Sequence, residues 1–443
     1  MSTDPNGSNT RSRPATRLGQ ILRTYLLALL PSWSASADSD LVDALIHGKA
    51  DLFLRYRYEF VDDGSPGIQD ANANTLRTAL GYTSSRFYDF DVRVQLEDVR
   101  SLGRERYNDG GSNGVRDRAV VVDPVGTEFN QAFLRFSGLP KTVLSAGRQE
   151  INHRDAPLQR YVGNIAWRQN VQSFDGVRAV NLALPGTVVD YSYIWNVNRI
   201  FGEDNPLPDA SDFRLAGHLV NIQYSSLPIG KLEGYSYLLD FATSTSDPFS
   251  TATVGLRIQG NQGVLPKTKL LYAAELAHQR DYGDNPNDIE VNYFLGEIGG
   301  SYAFGGILDS IVVKLTYEVL EGEGGGRAFQ TPLGTNHAFQ GWADRFLITP
   351  GDGIEDFFAT FTANFLGAQF SAVYHDFQAD HGDYAYGEEW DLILERPIAK
   401  QFLVGVKYAR YVADENPVNL LNNTSSGQAD DLTKFWAYIQ FTY

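Results

Sequence analysis

Residues 51–60 read DLFLRYRYEF and alternate between two kinds of side chain. Leucine, tyrosine and phenylalanine occupy every second position, and the positions between them carry charge at Asp51, Arg55, Arg57 and Glu59. Successive side chains of a β-strand point to opposite faces of the sheet. This segment is therefore predicted to be a strand with one apolar face and one largely charged face.

The same two-residue period recurs along the rest of the chain, where short turns and long connections alternate between the strands. A soluble sandwich would also alternate, but an even strand number, this order of connections and apolar faces that end in aromatic residues are typical of outer-membrane barrels. We predict an all-β transmembrane antiparallel β-barrel of about 18 strands, with short periplasmic turns and long extracellular loops. The predicted spans are 50–61, 72–84, 87–100, 127–138, 141–150, 173–184, 187–198, 211–226, 229–243, 250–260, 265–281, 288–304, 308–320, 355–366, 368–377, 386–397, 400–413 and 431–443.

Composition excludes several other classes of protein. The 443-residue chain has no cysteine, which excludes a disulfide scaffold, a thiolate metal site and a cysteine nucleophile. A formal net charge of −17 argues against nucleic acid as a partner. No apolar run reaches the ~20 residues of a transmembrane helix. A membrane location remains open, because barrel strands hide their hydrophobicity in alternation.

Both ends of the sequence carry patterns of exported proteins. Residues 1–37 combine four arginines, an apolar run at 25–30 and the sequence ASA at 35–37, which is the pattern of a signal peptide with its cleavage site. We therefore divide the chain into a signal peptide at 1–37, a short periplasmic segment at 38–49 and a transmembrane barrel at 50–443. Residues 435–443 alternate up to Tyr443 and resemble the C-terminal signal of outer-membrane barrels. The expected partners are the barrel-assembly machinery, outer-membrane lipid and lipopolysaccharide.

Several stretches resemble the alginate-export family of outer-membrane barrels. They are GKADLFLRYRYE at 48–59, GRQE at 147–150, WRQNVQSFDGVR at 167–178, NHAFQGWADRF at 336–346 and PGDGIED at 350–356. The resemblance implies an 18-stranded barrel that lets an anionic polysaccharide cross the outer membrane through an arginine-lined constriction.

Strand parity places many basic side chains in the lumen, among them Arg257, Lys314 and Lys407. Loops 151–172 and 321–354 contain further arginine together with tryptophan and glycine, which indicates packing inside the lumen. Guanidinium groups bind carboxylates in a fork and keep their charge at any relevant pH. The candidate pore-lining and substrate-binding residues are Arg55, Arg57, Arg77, Arg93, Arg135, Arg148, Arg154, Arg168, Arg178 and Arg345.

The same parity turns acidic side chains inward, so a lumen of mixed charge is expected. These acids would either orient the arginines or create a transverse field across the pore. The lumen acids are Asp91, Glu97, Glu389, Asp391 and Glu395, with Asp240, Glu275 and Glu318. We expect no cofactor and no metal, since His153 and Asp155 are only two ligands. A catalytic triad of Thr335, His337 and Asp344 is disfavoured, since nothing in the sequence shows a base within reach of the nucleophile.

The leading functional hypothesis is an outer-membrane channel that passes an anionic polysaccharide such as alginate, or a similar acidic solute. The alternative is a general diffusion porin for small solutes with a mixed-charge lumen. An outer-membrane barrel enzyme is disfavoured, because such enzymes use narrower barrels. A plug-containing receptor is disfavoured by the short segment predicted before the first strand. The sequence leaves open both the identity of the solute and the direction of its transport.

Overall fold

The computed structural model describes residues 37–422 and 427–443, and it contains a closed 18-stranded antiparallel sheet. The predicted signal peptide, apart from its final residue, lies outside the described residues. The strands are β1 Lys49–Asp63, β2 Ala71–Thr83, β3 Phe90–Ser101, β4 Gly126–Leu139, β5 Thr142–Gln149, β6 Ser173–Asn181, β7 Thr187–Asn198, β8 Asp212–Leu227, β9 Gly230–Phe241, β10 Thr251–Leu265, β11 Thr268–Asp281, β12 Glu290–Ala303, β13 Leu308–Leu320, β14 Ile354–Phe365, β15 Ala368–Gln378, β16 Ala385–Pro397, β17 Phe402–Ala413 and β18 Leu432–Thr442.

The ring closes between the strands that are farthest apart in the sequence. β18 pairs with β17 on one side and with β1 on the other, where Arg57 lies opposite Tyr438. Closure leaves no sheet edge exposed to lipid, as a membrane-spanning sheet requires. The predicted fold class is confirmed, and every predicted strand overlaps one in the structure. The main difference is β10, which continues to Leu265, so the turn predicted at 261–264 lies instead at Pro266 and Lys267.

Alternation sorts the side chains onto two faces as predicted. On neighbouring strands, Leu256, Leu276 and Ile298 are 55%, 63% and 59% exposed on the outer face. Arg57 and Glu59 on the inner face are buried. An apolar outer face and a polar inner face are the pattern of a barrel in lipid. Asp240 was wrongly assigned to the lumen: on β9 the inward, buried positions are odd-numbered, so this even-numbered side chain points outward.

Connections of two lengths separate the two ends of the barrel. At the short-turn end, β14 and β15 are joined by Leu366 and Gly367, whose φ angles are 52° and 70°. Positive φ at both central residues is the requirement of a type I′ hairpin turn. The opposite end, here called the long-loop end, carries the connections 64–70, 102–125, 150–172, 199–211, 242–250, 282–289, 321–353, 379–384 and 414–431.

The helices in residues 37–422 and 427–443 are few and short. Helix α1, Ala37–Ile46, packs at the short-turn end, where the Ser85 N–H donates to the Ala44 carbonyl at 2.9 Å. Helix α2, Pro417–Leu421, lies in the connection 414–431. None of the helices among the described residues is long and apolar enough to cross a membrane.

Two long connections fold into the barrel rather than away from it. Residues 150–172 and 321–353 contribute Ile151, Tyr161 and Leu333 to a buried cluster shared with Tyr235 and Tyr293 of the inner wall. The lumen is therefore packed at this level. The sequence-based expectation that both loops lie inside the lumen agrees with this placement.

Candidate constriction and solute path

The two inward loops contact each other and form one layer across the lumen. The Gly163 N–H donates to the Leu333 carbonyl at 3.0 Å, and the Thr335 N–H donates to the Gln159 carbonyl at 2.8 Å. The side chain of Gln172 donates to the carbonyls of both Gly163 and Leu333. We call residues 150–172 and 321–353 together the loop layer.

Arg154 ties the loop layer to one side of the wall. Its guanidinium lies 2.8 Å from Glu233 on β9 and 2.6 Å from Glu275 on β11. Glu275 also accepts from Arg257 of β10 at 2.7 Å. All four side chains are buried, and an unpaired charge in such a place would be unfavourable. Each of the four has a partner of opposite charge. Arg154 is inside the lumen as predicted, but it is fully engaged in holding the loop.

Arg160 and Arg168 tie the same loop to other strands. Arg160 lies 3.0 Å from Glu318 on β13, and Arg168 lies 3.3 Å from Glu59 on β1. Arg168 also reaches across the layer to Asp344, at 3.0 Å. Burial alone would lower the pKa of Arg168, but the carboxylates of Glu59 and Asp344 outweigh burial and raise it. Arg168 therefore keeps its charge, and with it its attraction to Glu59 and Asp344, at neutral pH.

The loop layer covers the inward-facing arginines of β1 and β2. Arg55 and Arg77 are direct cross-strand neighbours. Arg57 pairs with Asp123 of the connection 102–125, and Arg77 lies 2.6 Å from Glu97. Arg55 instead donates to an amide and a carbonyl oxygen of loop 150–172, both at 2.9 Å. All three arginines are inward as predicted, and the layer buries them.

A second set of contacts joins the two loops inside the lumen. The rings of Trp167 and His337 stack with centroids 4.5 Å apart. His337 Nδ1 lies 2.6 Å from Asp344, and its Nε2 lies 2.7 Å from Lys407 Nζ. Burial holds the pKa of His337 well below its usual 6.5. Since both ring nitrogens are engaged, neither is directed at Thr335, and the geometry does not build the triad.

Glu389 and Asp391 of β16 face inward as predicted, but they bind backbone rather than line water. The Ala343 N–H donates to Glu389 at 2.6 Å, and the Trp342 N–H donates to Asp391 at 3.0 Å. A Cβ atom at Gly341 would overlap the Glu389 carboxylate. The two acids therefore fix loop 321–353 in the lumen, whereas the half-buried Glu395 only accepts the Tyr438 hydroxyl, at 2.5 Å.

Below the layer, towards the short-turn end, arginines remain accessible. Arg135 is 39% exposed while its partner Asp91 is 2% exposed, with 2.9 Å between them. Arg178 is 22% exposed while its partner Asp190 is 8% exposed. Each acid thus lies behind its arginine and leaves the guanidinium facing the lumen. Both arginines lie opposite Ser145 of β5, so they belong to one cross-strand row.

Two further candidates occupy different environments. Arg93 shares this lower region, but its partner Asp51 is the more exposed member of the pair. Arg345 lies at the long-loop end, 2.9 Å from Asp63, and connects loop 321–353 to the end of β1.

Arg148 was wrongly assigned to the pore. It alternates on β5 with Ser145 and Gln149, whose side chains bond to each other on the inner face. Arg148 instead reaches Asp175 at 2.9 Å and Glu203 at 3.1 Å on the outer face. The family motif at 147–150 suggested the pore, whereas strand parity excludes it.

The loop layer lies between two cavities. One, of about 340 Å³, opens above the layer and is lined by Arg168, His337, Asp344 and also Arg199. The other, of about 490 Å³, lies below it and is lined by polar and charged side chains that include Lys231, Arg257, Lys314 and Glu297. Sequence reasoning did not single out Arg199. Its position directly after a strand and two residues before Phe201 could have indicated a candidate site residue.

A closed 18-stranded barrel with an apolar outer face and a charged, loop-filled lumen defines an outer-membrane channel. The alginate export family model matches residues 49–337, and the chain belongs to this family. The resemblance seen in the sequence and the outer-membrane location are confirmed. The long-loop end is accordingly extracellular and the short-turn end periplasmic.

Solved structures of outer-membrane porins share the fold. OccAB2 of Acinetobacter baumannii is 12% identical, with a TM-score of 0.68, and the match covers 90% of this chain and 99% of that one. OccAB4 of the same organism is 15% identical, with a TM-score of 0.63 and coverage of 89% and 98%. OpdK of Pseudomonas aeruginosa, solved with vanillate, is 14% identical, with a TM-score of 0.63 and coverage of 90% and 99%. A search of curated proteins gives no match.

Proposed function

We propose that the channel passes an anionic solute, either an anionic polysaccharide such as alginate or a smaller acidic solute, past a row of lumen arginines. The observation that carries this proposal is the arrangement of Arg135 over Asp91 and of Arg178 over Asp190. In both pairs the cation is the more exposed partner. A solute in the lumen therefore meets guanidinium groups first.

The buried acids explain how such a row would conduct. A carboxylate behind each guanidinium fixes its orientation and partly offsets its charge, while the remaining N–H donors stay available to a passing carboxylate. Partial neutralisation keeps each contact weak, and conduction requires contacts that form and release in turn. The lumen acids would thus orient the arginines, as one of the two sequence-based hypotheses proposed.

The loop layer bears on the size of the solute. Cavities of about 340 and 490 Å³ lie above and below it, and volumes of this order are typical of sites for small molecules. OpdK, which shares the fold, was solved with vanillate, a small carboxylate. These observations favour a short acidic solute, or a chain that crosses the layer one unit at a time.

The experiment is a planar-bilayer recording of reversal potential in a salt gradient, with and without oligouronate. We expect the unmodified channel to prefer anions, and Arg135→Gln with Arg178→Gln to shift the preference towards cations. The shift should be largest at low salt, because the screening length is about 30 Å at 0.01 M and about 3 Å at 1 M.

Arg100→Gln is the matched control, because Arg100 lies on the outer face and pairs with Asp98. Oligouronate should block the current of the unmodified and control channels, and block it less in the double variant. Comparing a monomeric uronate with oligomers separates a short solute from a polysaccharide. A cation-preferring unmodified channel that ignores every uronate would overturn the proposal.

The general-porin alternative also has an observation in its favour. Glu297, on the inner face of β12, is 19% exposed beside Lys314, and Glu395 is half-buried, so some acid also faces the lower lumen. That arrangement predicts weak selectivity and no block by uronates. The same recording therefore decides between the two functions.

A further inference from the structure

The cavity above the loop layer contains a guanidinium without a carboxylate partner. Arg199 donates to the Asp209 carbonyl at 2.6 Å, and its Cζ lies 4.0 Å from the ring centre of Phe213 and 4.8 Å from that of Phe201. Within the described part of the chain it forms no ion pair. This contrasts with the paired arginines of the loop layer.

Burial lowers the pKa of Arg199 to about 10, so the group still carries its charge at neutral pH. It has nevertheless lost much of its contact with water. A cation in this condition gains more from an incoming anion than a solvated surface arginine does. Two aromatic faces orient the guanidinium without neutralising it.

The rest of the cavity is mostly apolar. Its walls come from five different connections and from β8, and they leave a space of about 340 Å³. The apolar and aromatic lining residues include Ile165, Phe201, Phe213, Phe249, Leu347 and Ile348. An apolar cavity with a few placed polar groups is the usual form of a small-molecule site.

Both carboxylates that line this cavity are already occupied. Asp209 accepts the Thr243 hydroxyl, and Asp344 is shared among His337, Arg168 and Lys434. Within the described part of the chain neither forms an ion pair with Arg199, although the charge of Asp209 acts to raise the pKa of that arginine. The cavity therefore presents one available cation against an apolar wall.

We propose that this cavity is an extracellular binding site for a small amphipathic carboxylate, which Arg199 holds by its acid group while the apolar wall holds its body. An aromatic carboxylate of the size of benzoate has this chemistry. The site lies on the extracellular side of the loop layer. The inference rests on the proposed function, since it names the kind of anion that the channel binds at its extracellular end.

The experiment titrates benzoate into the detergent-solubilised barrel by calorimetry, with benzyl alcohol and glucuronate as comparison ligands. We expect benzoate to bind, the neutral alcohol to bind weakly because it lacks the charge, and glucuronate to bind weakly because it lacks the apolar body. Arg199→Gln should weaken benzoate binding by about tenfold or more, as loss of a charge-assisted contact does.

Arg214→Gln is the matched control, since Arg214 follows Phe213 on β8 but is 78% exposed on the outer face. It should leave binding unchanged. Arg199 also contacts its own connection, so Ile348→Asp provides a second test that keeps Arg199. An added acid on the apolar wall should likewise weaken benzoate binding. Heat-modifiable migration on gels verifies that each variant forms the barrel.

Equal binding of benzoate to the Arg199→Gln and Arg214→Gln variants would contradict the site, and so would equal binding of benzoate and benzyl alcohol. If glucuronate bound as tightly as benzoate, the apolar wall would not contribute to binding, and that part of the proposal would be wrong. This test and that of the proposed function fail separately. In calorimetry the Arg199→Gln variant isolates the contribution of the upper cavity, whereas the reversal potential reports the row at Arg135 and Arg178.

Discussion

At the scale of single residues, the position of a charge relative to its partner matters more than its presence. Arg154 and Arg135 are both inward arginines with carboxylate partners, yet Arg154 is buried in loop contacts and Arg135 faces the lumen. The alternation of side chains in the sequence identifies Arg135 as a residue that faces inward. It does not reveal which arginines a loop will cover, since that depends on contacts between residues far apart in the chain.

His153 supplies a prediction about pH. It is buried in loop 150–172, where its Nδ1 lies 3.1 Å from the Tyr237 hydroxyl. Burial lowers its pKa to about 4, against Asp190, which raises it, while Arg178 and Arg154 lower it further. A displaced loop would return the histidine to a pKa near 6.5. The displaced state therefore binds more protons between those two values, so acid favours it.

Single-channel recordings should show more frequent openings of the loop layer as the pH falls from about 6.5 to 4. One linked proton changes the ratio of displaced to docked loop by up to about tenfold per pH unit. His153→Gln keeps a polar side chain of similar reach and should remove this part of the dependence. An unchanged pH profile in that variant would show that His153 is not the linked group.

At the scale of elements, alternation predicted the strands well because each strand has one face in lipid and one in the lumen. The same reasoning assigns the wrong face when the inward positions of a strand are misjudged, as for Asp240 on β9. The long loops showed their inward packing through tryptophan and glycine. Among their partners on the wall, Glu275 and Glu318 were predicted only to face inward, and Glu233 was not singled out. The sequence holds no signal for which loop residue each acid meets.

Loop 321–353 supplies the prediction at this scale. Replacing Glu389 and Asp391 by alanine removes the acceptors of the Ala343 and Trp342 N–H groups. Each buried donor left without a partner costs about 1–3 kcal/mol. We therefore expect a less firmly docked loop, with larger and noisier single-channel conductance.

The barrel itself should survive this change, since lumen substitutions tune selectivity while the lipid face carries stability. Glu388→Ala is the control, because Glu388 is adjacent in sequence but exposed on the outer face. If the double alanine variant conducts like the unmodified channel, the two acids do not hold the loop.

At the scale of the whole molecule, the remaining proposal concerns processing. We propose that residues 1–37 are a signal peptide, residues 38–49 a periplasmic segment and residues 50–443 the barrel. The mature chain should begin at Asp38, because small residues at 35 and 37 fit the cleavage pocket of a signal peptidase. Mass spectrometry of protein extracted from outer membranes measures this directly. An intact mass that includes Met1 or Ser2 would refute cleavage.

The pairing of β1 with β18 has a consequence for how the barrel assembles. The two strands lie nearly four hundred residues apart, from Lys49–Asp63 to Leu432–Thr442, and contacts of such long range form slowly because a large loop must close first. β1 also carries Glu59, which binds Arg168 of the loop layer. Loop 150–172 can therefore bind β1 while the ring is still open. The interior would then be packed before the final seam forms, and the loop layer would serve as a template around which the wall closes.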